Sequence, residues 1–201
     1  MSDIVIIGTG GSSKVISEIL DNDYKKFKNK TITSVTYENS TELLDNPSES
    51  IFILAIGASK NVEYRKNIFK IFKEKKLNLQ SVISSNSIIS NHVTVGDGCI
   101  IMPGVIVNPN VTLKDNVFLN TGVIVEHDCV IGESTFLATG CTLAGNVTIG
   151  NNTFIGAGST IIGDVVIGDN VTIGAGSLVI RDVKNNMLVY GVPTHKEMVF
   201  K

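Results

Sequence analysis

An aliphatic residue returns at every sixth position between Ile83 and Val179 without a single slip. The series is Ile83, Ile89, Val95, Ile101, Val107, Leu113, Leu119, Val125, Ile131, Leu137, Leu143, Ile149, Ile155, Ile161, Ile167, Ile173 and Val179. Four residues after these positions, from Ser87 to Ser177, the chain has a small or β-branched residue. Self-similarity at a fixed short period is typical of solenoids, whose coils bury a continuous core. The repeat therefore predicts coils of three short strands, in which residues 18 apart stack.

The three cysteines all fall on the small, inward position of this repeat. Cys99, Cys129 and Cys141 each stand four residues after an aliphatic position, and no two of them have CxxC spacing. An odd number of cysteines without that spacing indicates neither a disulfide framework nor a zinc site. We therefore expect small apolar core residues rather than catalytic thiols.

The first eighty residues lack the repeat. Strands and helices are predicted in alternation there: a strand at 4–7, a helix with its apolar face at 15–20, strands at 31–37 and 51–56, and an amphipathic helix at 61–76 with a lysine-rich outer face. This order predicts a small α/β unit of the Rossmann-like kind over residues 1–80. The expected fold class is thus a Rossmann-like unit that binds a nucleotide-sugar, followed by an all-β, left-handed parallel β-helix over residues 81–201 with a short C-terminal tail.

A glycine turn follows the first predicted strand. Gly8, Gly10 and the small residue Ser13 approximate the GxGxxG pattern, and backbone N–H groups at a helix start bind phosphate. The unit is short for a fold that holds a dinucleotide, so the turn favours a phosphate or nucleotide-sugar site over NAD. A purely structural turn stays open as an alternative.

Charge and hydropathy exclude several other classes of protein. The net charge is −2 and 43% of the residues are hydrophobic, which shows no general bias toward nucleic acid or an anionic membrane. Residues 1–11 lack a basic stretch and contain only a short apolar run, so neither a signal peptide nor a membrane span is expected. We therefore expect a cytoplasmic protein with no nucleic-acid or membrane partner.

His127 is the residue that most suggests chemistry. In the rung Val125-Glu126-His127-Asp128-Cys129-Val130, the first and fifth positions face inward, so His127 is expected at a corner near the surface. A neutral imidazole there can accept a proton near pH 7, and Asp128 could hold the ring in one tautomer and raise its basicity. An ordinary polar corner residue is the alternative interpretation.

The other two histidines do not suggest a metal site. His92 is expected in an exposed corner of an early rung, and His195 lies in the terminal tail. The separations among the three histidines are not multiples of 18, so they do not stack within one chain. No metal is therefore expected.

Several motifs resemble those of a known family. They are the amino-terminal IVIIGTGGSSKVI, the mid-chain AIGASKN, the rung pair LNTGVIVEHDCVIG, the following LAGNVTIGNNTFIGAGS and the terminal YGVP. With these motifs the chain resembles the bacterial sugar acetyltransferases related to the sialic-acid O-acetyltransferases and the UDP-4-amino-sugar N-acetyltransferases. The resemblance covers nearly the whole chain. It implies direct transfer of an acetyl group from acetyl-CoA to an amine or hydroxyl of a sugar.

The resemblance also implies roles for individual residues. His127 matches the general base, and Asp128 matches the acidic residue that enhances its basicity. Residues that match contacts to the sugar substrate are Gly10, Gly11, Ser12, Gly57 and Asn120. Residues that match the lining of a coenzyme groove between neighbouring subunits are Phe136, Gly145, Ala157 and Ala175. The family assembles as homotrimers, in which two chains share each site.

Four departures from the family pattern bear on the substrate. Ser12 stands where the glycine turn usually has a histidine, and Phe136 stands where the rung after the base usually has a second histidine. Tyr37-Glu38 replaces a paired aspartate that contacts the nucleotide, and the tail reads Val192-Pro193-Thr194-His195-Lys196, where alanine and then lysine usually follow the proline. The departure at Phe136 suggests that backbone groups alone hold the thioester carbonyl, and none of the four departures removes His127. Those at Ser12 and Tyr37 bear on the acceptor.

The favoured function is N-acetylation of a nucleotide-linked 4-amino-4,6-dideoxy sugar. O-acetylation of sialic acid or another small hydroxyl acceptor is the first alternative, because a histidine base serves both reactions. A non-catalytic hexapeptide scaffold and metal-dependent chemistry are the others. The acceptor and its nucleotide cannot be read from the sequence.

Overall fold

The computed structural model describes residues 4–24, 30–38, 50–57 and 62–199. Its first part contains β1 (Ile4–Ile7), α1 (Gly11–Asp23), β2 (Ile32–Val35), β3 (Ile51–Leu54) and α2 (Val62–Glu74). The three strands form a parallel sheet in the order β2-β1-β3. The Rossmann-like prediction is therefore confirmed only as far as a three-stranded parallel sheet with two helices. The helix start expected at Asn61 and the side chain of His195 lie outside the described residues.

Seventeen two-residue strands follow at the predicted interval of six. They are β4 (Val82–Ile83), β5 (Ile88–Ile89), β6 (Thr94–Val95), β7 (Ile100–Ile101), β8 (Ile106–Val107), β9 (Thr112–Leu113), β10 (Phe118–Leu119), β11 (Ile124–Val125), β12 (Val130–Ile131), β13 (Phe136–Leu137), β14 (Thr142–Leu143), β15 (Thr148–Ile149), β16 (Phe154–Ile155), β17 (Thr160–Ile161), β18 (Val166–Ile167), β19 (Thr172–Ile173) and β20 (Leu178–Val179). The chain then forms the hairpin of β21 (Met187–Gly191) and β22 (Thr194–Val199).

Every third strand pairs in parallel, which builds a prism with three sheets as faces. The first sheet has the order β22-β21-β19-β16-β13-β10-β7-β4, the second β20-β17-β14-β11-β8-β5 and the third β18-β15-β12-β9-β6. Partners are 18 residues apart, as in Leu119 and Leu137. The result is a parallel solenoid of about six turns, consistent with the predicted left-handed β-helix. The predicted stacking is confirmed.

The recurring aliphatic residues fill the interior of the prism. From Ile101 to Val179 each second strand residue is buried, and Leu119, Val125 and Ile131 have no exposed surface. Burial of a leucine or isoleucine side chain contributes about 1.5–3 kcal/mol, so the repeat supplies most of the solenoid's cohesion. The three cysteines are buried and free, as expected. Burial raises the pKa of the Cys99 thiol to about 11 and that of Cys141 to about 12.

Two of the prism's edges carry site residues predicted from the sequence. The first, here called the His127 edge, consists of the turns 109–110, 127–128, 145–146 and 163–164, between the second and third sheets. The Asn120 edge consists of Asn120 and the turns 103–104, 121–122, 139–140, 157–158 and 175–176, between the first and second sheets. The second residue of each turn is left-handed, with φ near +60°, which explains the recurring Gly, Asn and Asp.

The first part of the chain packs on the first sheet of the solenoid through the buried side chain of Arg65. Its guanidinium donates hydrogen bonds to the carbonyl oxygens of Leu54 and Ile56 and, at 3.4 Å, of Gly98, and it lies over the ring of Phe118. Burial lowers the pKa of Arg65 to about 9, so the group is still charged at neutral pH. The end of β3 is thereby tied to the solenoid.

In the described ranges no helix is long and apolar enough to cross a membrane.

Candidate active site

His127 lies in a turn on the outside of the solenoid, as its place in the repeat predicts. Val125 and Cys129 on either side of it are fully buried, which anchors the turn in the core. The side chain of His127 is 60% exposed. A residue held by buried neighbours but open to solvent can meet a diffusing substrate.

The neighbouring carboxylate orients the His127 ring. Nδ1 of His127 lies 2.8 Å from Oδ2 of Asp128. An ionised carboxylate only accepts hydrogen bonds, so Nδ1 carries the proton in the neutral ring and Nε2 keeps a free lone pair. The hydrogen bond from His127, followed by one from Asn110, lowers the pKa of Asp128 and keeps it ionised at neutral pH. Nε2 is thus the ring nitrogen of His127 that can accept a proton.

Gly145 provides the space that the ring occupies. It lies one coil after His127, and a Cβ atom there would stand 2.6 Å from Cε1 and 2.7 Å from Nε2 of the ring. Its backbone does not require glycine, because its φ lies outside the left-handed range that glycine favours. Position 145 therefore requires a residue without a side chain, because the imidazole lies against it. Nε2 faces Gly145, which is predicted to line the coenzyme groove.

The predicted sugar-nucleotide residues lie together at the carboxyl ends of β1 and β3. Gly8, Thr9, Gly10, Gly11, Ser12, Ala55, Ile56 and Gly57 line an open cleft. Gly10 precedes α1, so the N–H groups of the first turn of α1, which lack partners within the helix, lie at this cleft, as at phosphate-binding helix ends. A Cβ atom on Gly10 or Gly11 would meet nothing within 4 Å, so packing does not require these glycines. The cleft leaves room for a ligand close to the backbone.

A polar pair near the ends of the same sheet was not anticipated from the sequence. The hydroxyl of Tyr64, in the first turns of α2, donates a 2.8 Å hydrogen bond to Oε1 of Glu38, which follows β2. Partial burial, together with Glu38, raises the pKa of Tyr64 to about 12. Residues this far apart in sequence give no local signal of their contact. Through this hydrogen bond α2 contacts the segment after β2, at Glu38, where the family that the sequence resembles has a paired aspartate.

The remaining predicted residues lie elsewhere on the chain. Asn120, Ala157 and Ala175 belong to the Asn120 edge, which the width of the second sheet separates from His127. Phe136 lies on the outer side of the first sheet, where it is 4% exposed and stacks between Phe118 and Phe154 at centroid distances of 4.6 and 5.7 Å. A single chain therefore brings Gly145 to His127 but not the other four. Their predicted contacts with substrate or coenzyme stay predictions.

Asn110 is a further residue of the site that the sequence analysis missed. Its side-chain Nδ2 donates a 3.0 Å hydrogen bond to Oδ1 of Asp128. The signal was available, because the two residues stand 18 apart at the same place in the repeat. His92 lies two coils before Asp128 in an exposed turn, as expected. Across the described residues, no group of three His, Cys, Asp or Glu side chains could hold a metal ion.

The structure is a parallel β-solenoid with a histidine–aspartate pair on one edge. Comparisons with known proteins indicate the same kind of fold. The family model of the bacterial transferase hexapeptide (six repeats) matches residues 146–181. No curated protein matches the chain. Solved structures do match over nearly its full length.

The structure of PerB from Caulobacter crescentus in complex with CoA and GDP-perosamine is 29% identical, with a TM-score of 0.85 and coverage of 97% of each chain. A GDP-perosamine N-acetyl transferase variant from the same organism, with the same ligands, is 28% identical, with a TM-score of 0.85 and coverage of 97% of this chain and 96% of that one. The acetyltransferase domain of PglB from Neisseria gonorrhoeae, in complex with acetyl coenzyme A, is 26% identical, with a TM-score of 0.83 and coverage of 96% and 98%. The resemblance to hexapeptide-repeat sugar acetyltransferases is thereby confirmed.

Proposed function

We propose that this protein is an acetyl-CoA-dependent N-acetyltransferase that acetylates the amine of a nucleotide-linked 4-amino-4,6-dideoxy sugar. The observation that carries the proposal is the pairing of His127 with Asp128, which leaves Nε2 unprotonated beside Gly145. The fold of the chain supports it, because solved structures with the same fold contain CoA, acetyl coenzyme A or GDP-perosamine. Acetyl-CoA is the co-substrate in this proposal, and no metal is needed.

In the proposed reaction, His127 acts as a general base. The neutral amine of the acceptor attacks the thioester carbonyl, and Nε2 of His127 takes the proton that the nitrogen loses as the C–N bond forms. The C–S bond then breaks, and the imidazolium returns this proton to the departing thiolate of CoA. The carboxylate of Asp128 stabilises the imidazolium while it exists. A general base contributes about 10²–10⁴-fold, and positioning of the two substrates supplies the rest.

The glycine cleft is proposed to bind the nucleotide-sugar. Its exposed backbone groups and the start of α1 suit a diphosphate, which takes N–H donors and the positive end of a helix. Gly10, Gly11, Ser12 and Gly57 would contact the acceptor there. Ser12 offers a hydroxyl where the family has a histidine, so it would donate or accept a hydrogen bond without adding charge.

We further propose that the protein works as a homotrimer in the cytoplasm, with sites between neighbouring chains. The second sheet joins the His127 edge to the Asn120 edge, and its outer row consists of Ile88, Ile106, Ile124, Thr142, Thr160 and Leu178. Ile88 is 68% exposed in the single chain. Contact between such faces around a three-fold axis would bring Asn120, Ala157 and Ala175 of one chain toward His127 of the next.

Turnover of acetyl-CoA, followed by thiol release, tests the proposed function. The panel contains UDP-, GDP- and dTDP-linked 4-amino sugars together with sialic acids, and the variants are His127→Ala and, as a matched control, His92→Ala. Turnover on one amino-sugar nucleotide that falls about 10²–10⁴-fold in His127→Ala but not in His92→Ala supports both the acceptor class and the base. Equal rates for wild type and His127→Ala would overturn the base. Turnover on sialic acids alone would overturn N-transfer in favour of O-transfer.

A further inference from the structure

The His127 edge carries a ladder of left-handed residues that are joined by their side chains. Asn110, Asp128, Asn146 and Asp164 have φ values of 65°, 60°, 61° and 64°. Asn110 donates to Oδ1 of Asp128 at 3.0 Å, and Asn146 donates to Oδ1 of Asp164 at 2.7 Å. In each of these two pairs, an asparagine donates a hydrogen bond to the carboxylate of the aspartate one coil later. One of these carboxylates is the partner of His127.

Both oxygens of Asp128 are engaged, each by a different partner. Oδ1 accepts from Asn110 and Oδ2 lies 2.8 Å from Nδ1 of His127. The χ2 torsion of an aspartate is broad, so a carboxylate with one partner would swing freely at the surface. The side chains of His127 and Asp128 are 60% and 50% exposed, so water competes for the same hydrogen bonds. Burial does not hold the pair in place, and a second hydrogen bond does.

The charge of this second partner matters as much as its position. Other charged side chains on the edge are Glu126, whose Oε2 accepts from Asn108 at 2.8 Å, and Asp164, which Asn146 holds. Asn110 adds a donor without adding positive charge. A lysine in its place would neutralise Asp128 and weaken the stabilisation of an imidazolium. The neutral amide orients the carboxylate and leaves its charge available to the ring.

We propose that Asn110 is a positioning residue of the active site, which holds Asp128 so that the carboxylate fixes the His127 ring with Nε2 free. This inference rests on the proposed function only for its catalytic consequence. Its structural part, the fixed tautomer of His127, stands on the hydrogen bonds themselves.

The variant that tests this is Asn110→Gly, because glycine adopts a φ of 65° without strain and removes only the side chain. Asn170→Gly is the matched control, since Asn170 also has a left-handed φ, of 55°, and donates only within its own ladder on another edge. We expect a fall in kcat of roughly 2- to 12-fold for Asn110→Gly, the scale of one lost hydrogen bond between solvent-exposed groups. KM for acetyl-CoA and for the acceptor should not change.

Asn110→Asp, which places a second carboxylate beside Asp128, should have a lower kcat than Asn110→Gly.

A double-mutant cycle separates positioning from a general effect on folding. In an Asp128→Gly background, Asn110→Gly should cause no further loss of kcat, because its effect passes through Asp128. ¹⁵N NMR of the imidazole ring gives a readout that needs no substrate. The wild type should show the Nδ1–H tautomer, and Asn110→Gly should show a mixture.

Either of two results would overturn the proposal: an unchanged tautomer together with an unchanged kcat, or an equal loss of kcat with and without Asp128. These outcomes differ from failure of the proposed function, in which His127→Ala would retain full activity while the tautomer of His127 still responded to Asn110.

Discussion

Gly145 lies directly against the imidazole of His127, one coil further along the same edge. A Cβ atom on Gly145 would stand 2.6 Å from Cε1 and 2.7 Å from Nε2 of the ring, closer than van der Waals contact allows. The ring therefore has two close neighbours: Asp128 contacts Nδ1, and the bare backbone of Gly145 leaves the space that the ring occupies. Neither neighbour is buried, so the position of the His127 ring depends on these local contacts.

We expect Gly145→Ala to reduce kcat by displacing the ring. The added methyl group cannot share space with Cε1, so His127 must rotate away and its hydrogen bond to Asp128 weakens. A misplacement of about 1 Å can lower the rate on the order of 10²-fold. Steady-state kinetics with saturating substrates give kcat, and thermal melting checks that the solenoid is intact. A variant with wild-type kcat and an unmoved ring in its crystal structure would contradict this reasoning.

Mixing two inactive variants tests whether the site is shared between chains. His127→Ala disables one edge and Asn120→Ala the other, so neither homo-oligomer should be active. If a site takes His127 from one chain and Asn120 from its neighbour, random hybrid trimers should contain about a quarter of intact sites. The two proteins are unfolded, mixed, refolded and assayed against each variant refolded alone. Activity of Asn120→Ala refolded alone would show that Asn120 is dispensable. If both variants are inactive alone, absence of recovered activity from correctly sized hybrids would show that both residues act within one chain.

The three thiols should be unreactive in the folded protein. Burial raises the pKa of Cys99 to about 11 and of Cys141 to about 12, and it also raises that of Cys129, so each thiolate forms only at a pH above its ordinary range. At pH 8 a thiol reagent should modify none of the three within minutes and should leave activity unchanged, whereas in guanidinium chloride all three should react. Rapid modification of the native protein with loss of activity would instead indicate an exposed thiol that takes part in the reaction.

The corner position of His127 could be predicted because a solenoid converts sequence spacing directly into geometry. Once Val125 and Cys129 are assigned to the interior, the residue between them must turn outward. The same rule relates Gly145 and Asn110 to this rung, since each is 18 residues from a member of the His127–Asp128 pair. Asn110 was missed because asparagine is common in turns, so its presence at a corner does not by itself indicate a functional site. The proximity of its amide to Asp128 depends on side-chain torsions that spacing does not specify.

Other relationships could not be read from the chain, because their partners are distant in sequence. Arg65 is an exposed-looking arginine within a lysine-rich helix, yet it lies buried between β3 and the solenoid and hydrogen-bonds three carbonyl oxygens. Tyr64 likewise meets Glu38 only because α2 packs beside the end of β2. Phe136 stacks between Phe118 and Phe154, which no local feature of the sequence indicates. Its contact with the coenzyme stays a prediction.

The sequence by itself determined the solenoid, its coil length, the inward residues and the outward turn that carries His127, because each of these depends on contacts between neighbouring coils at a constant spacing. The tertiary structure decided how the His127 ring is oriented, which residues share its edge, and how the described part of the first eighty residues packs on the solenoid. Those features depend on hydrogen bonds and packing between side chains whose separation along the sequence follows no fixed period. It also separated Asn120, Ala157 and Ala175 from His127 by the width of one sheet, a distance set by the prism and invisible in the spacing of the residues.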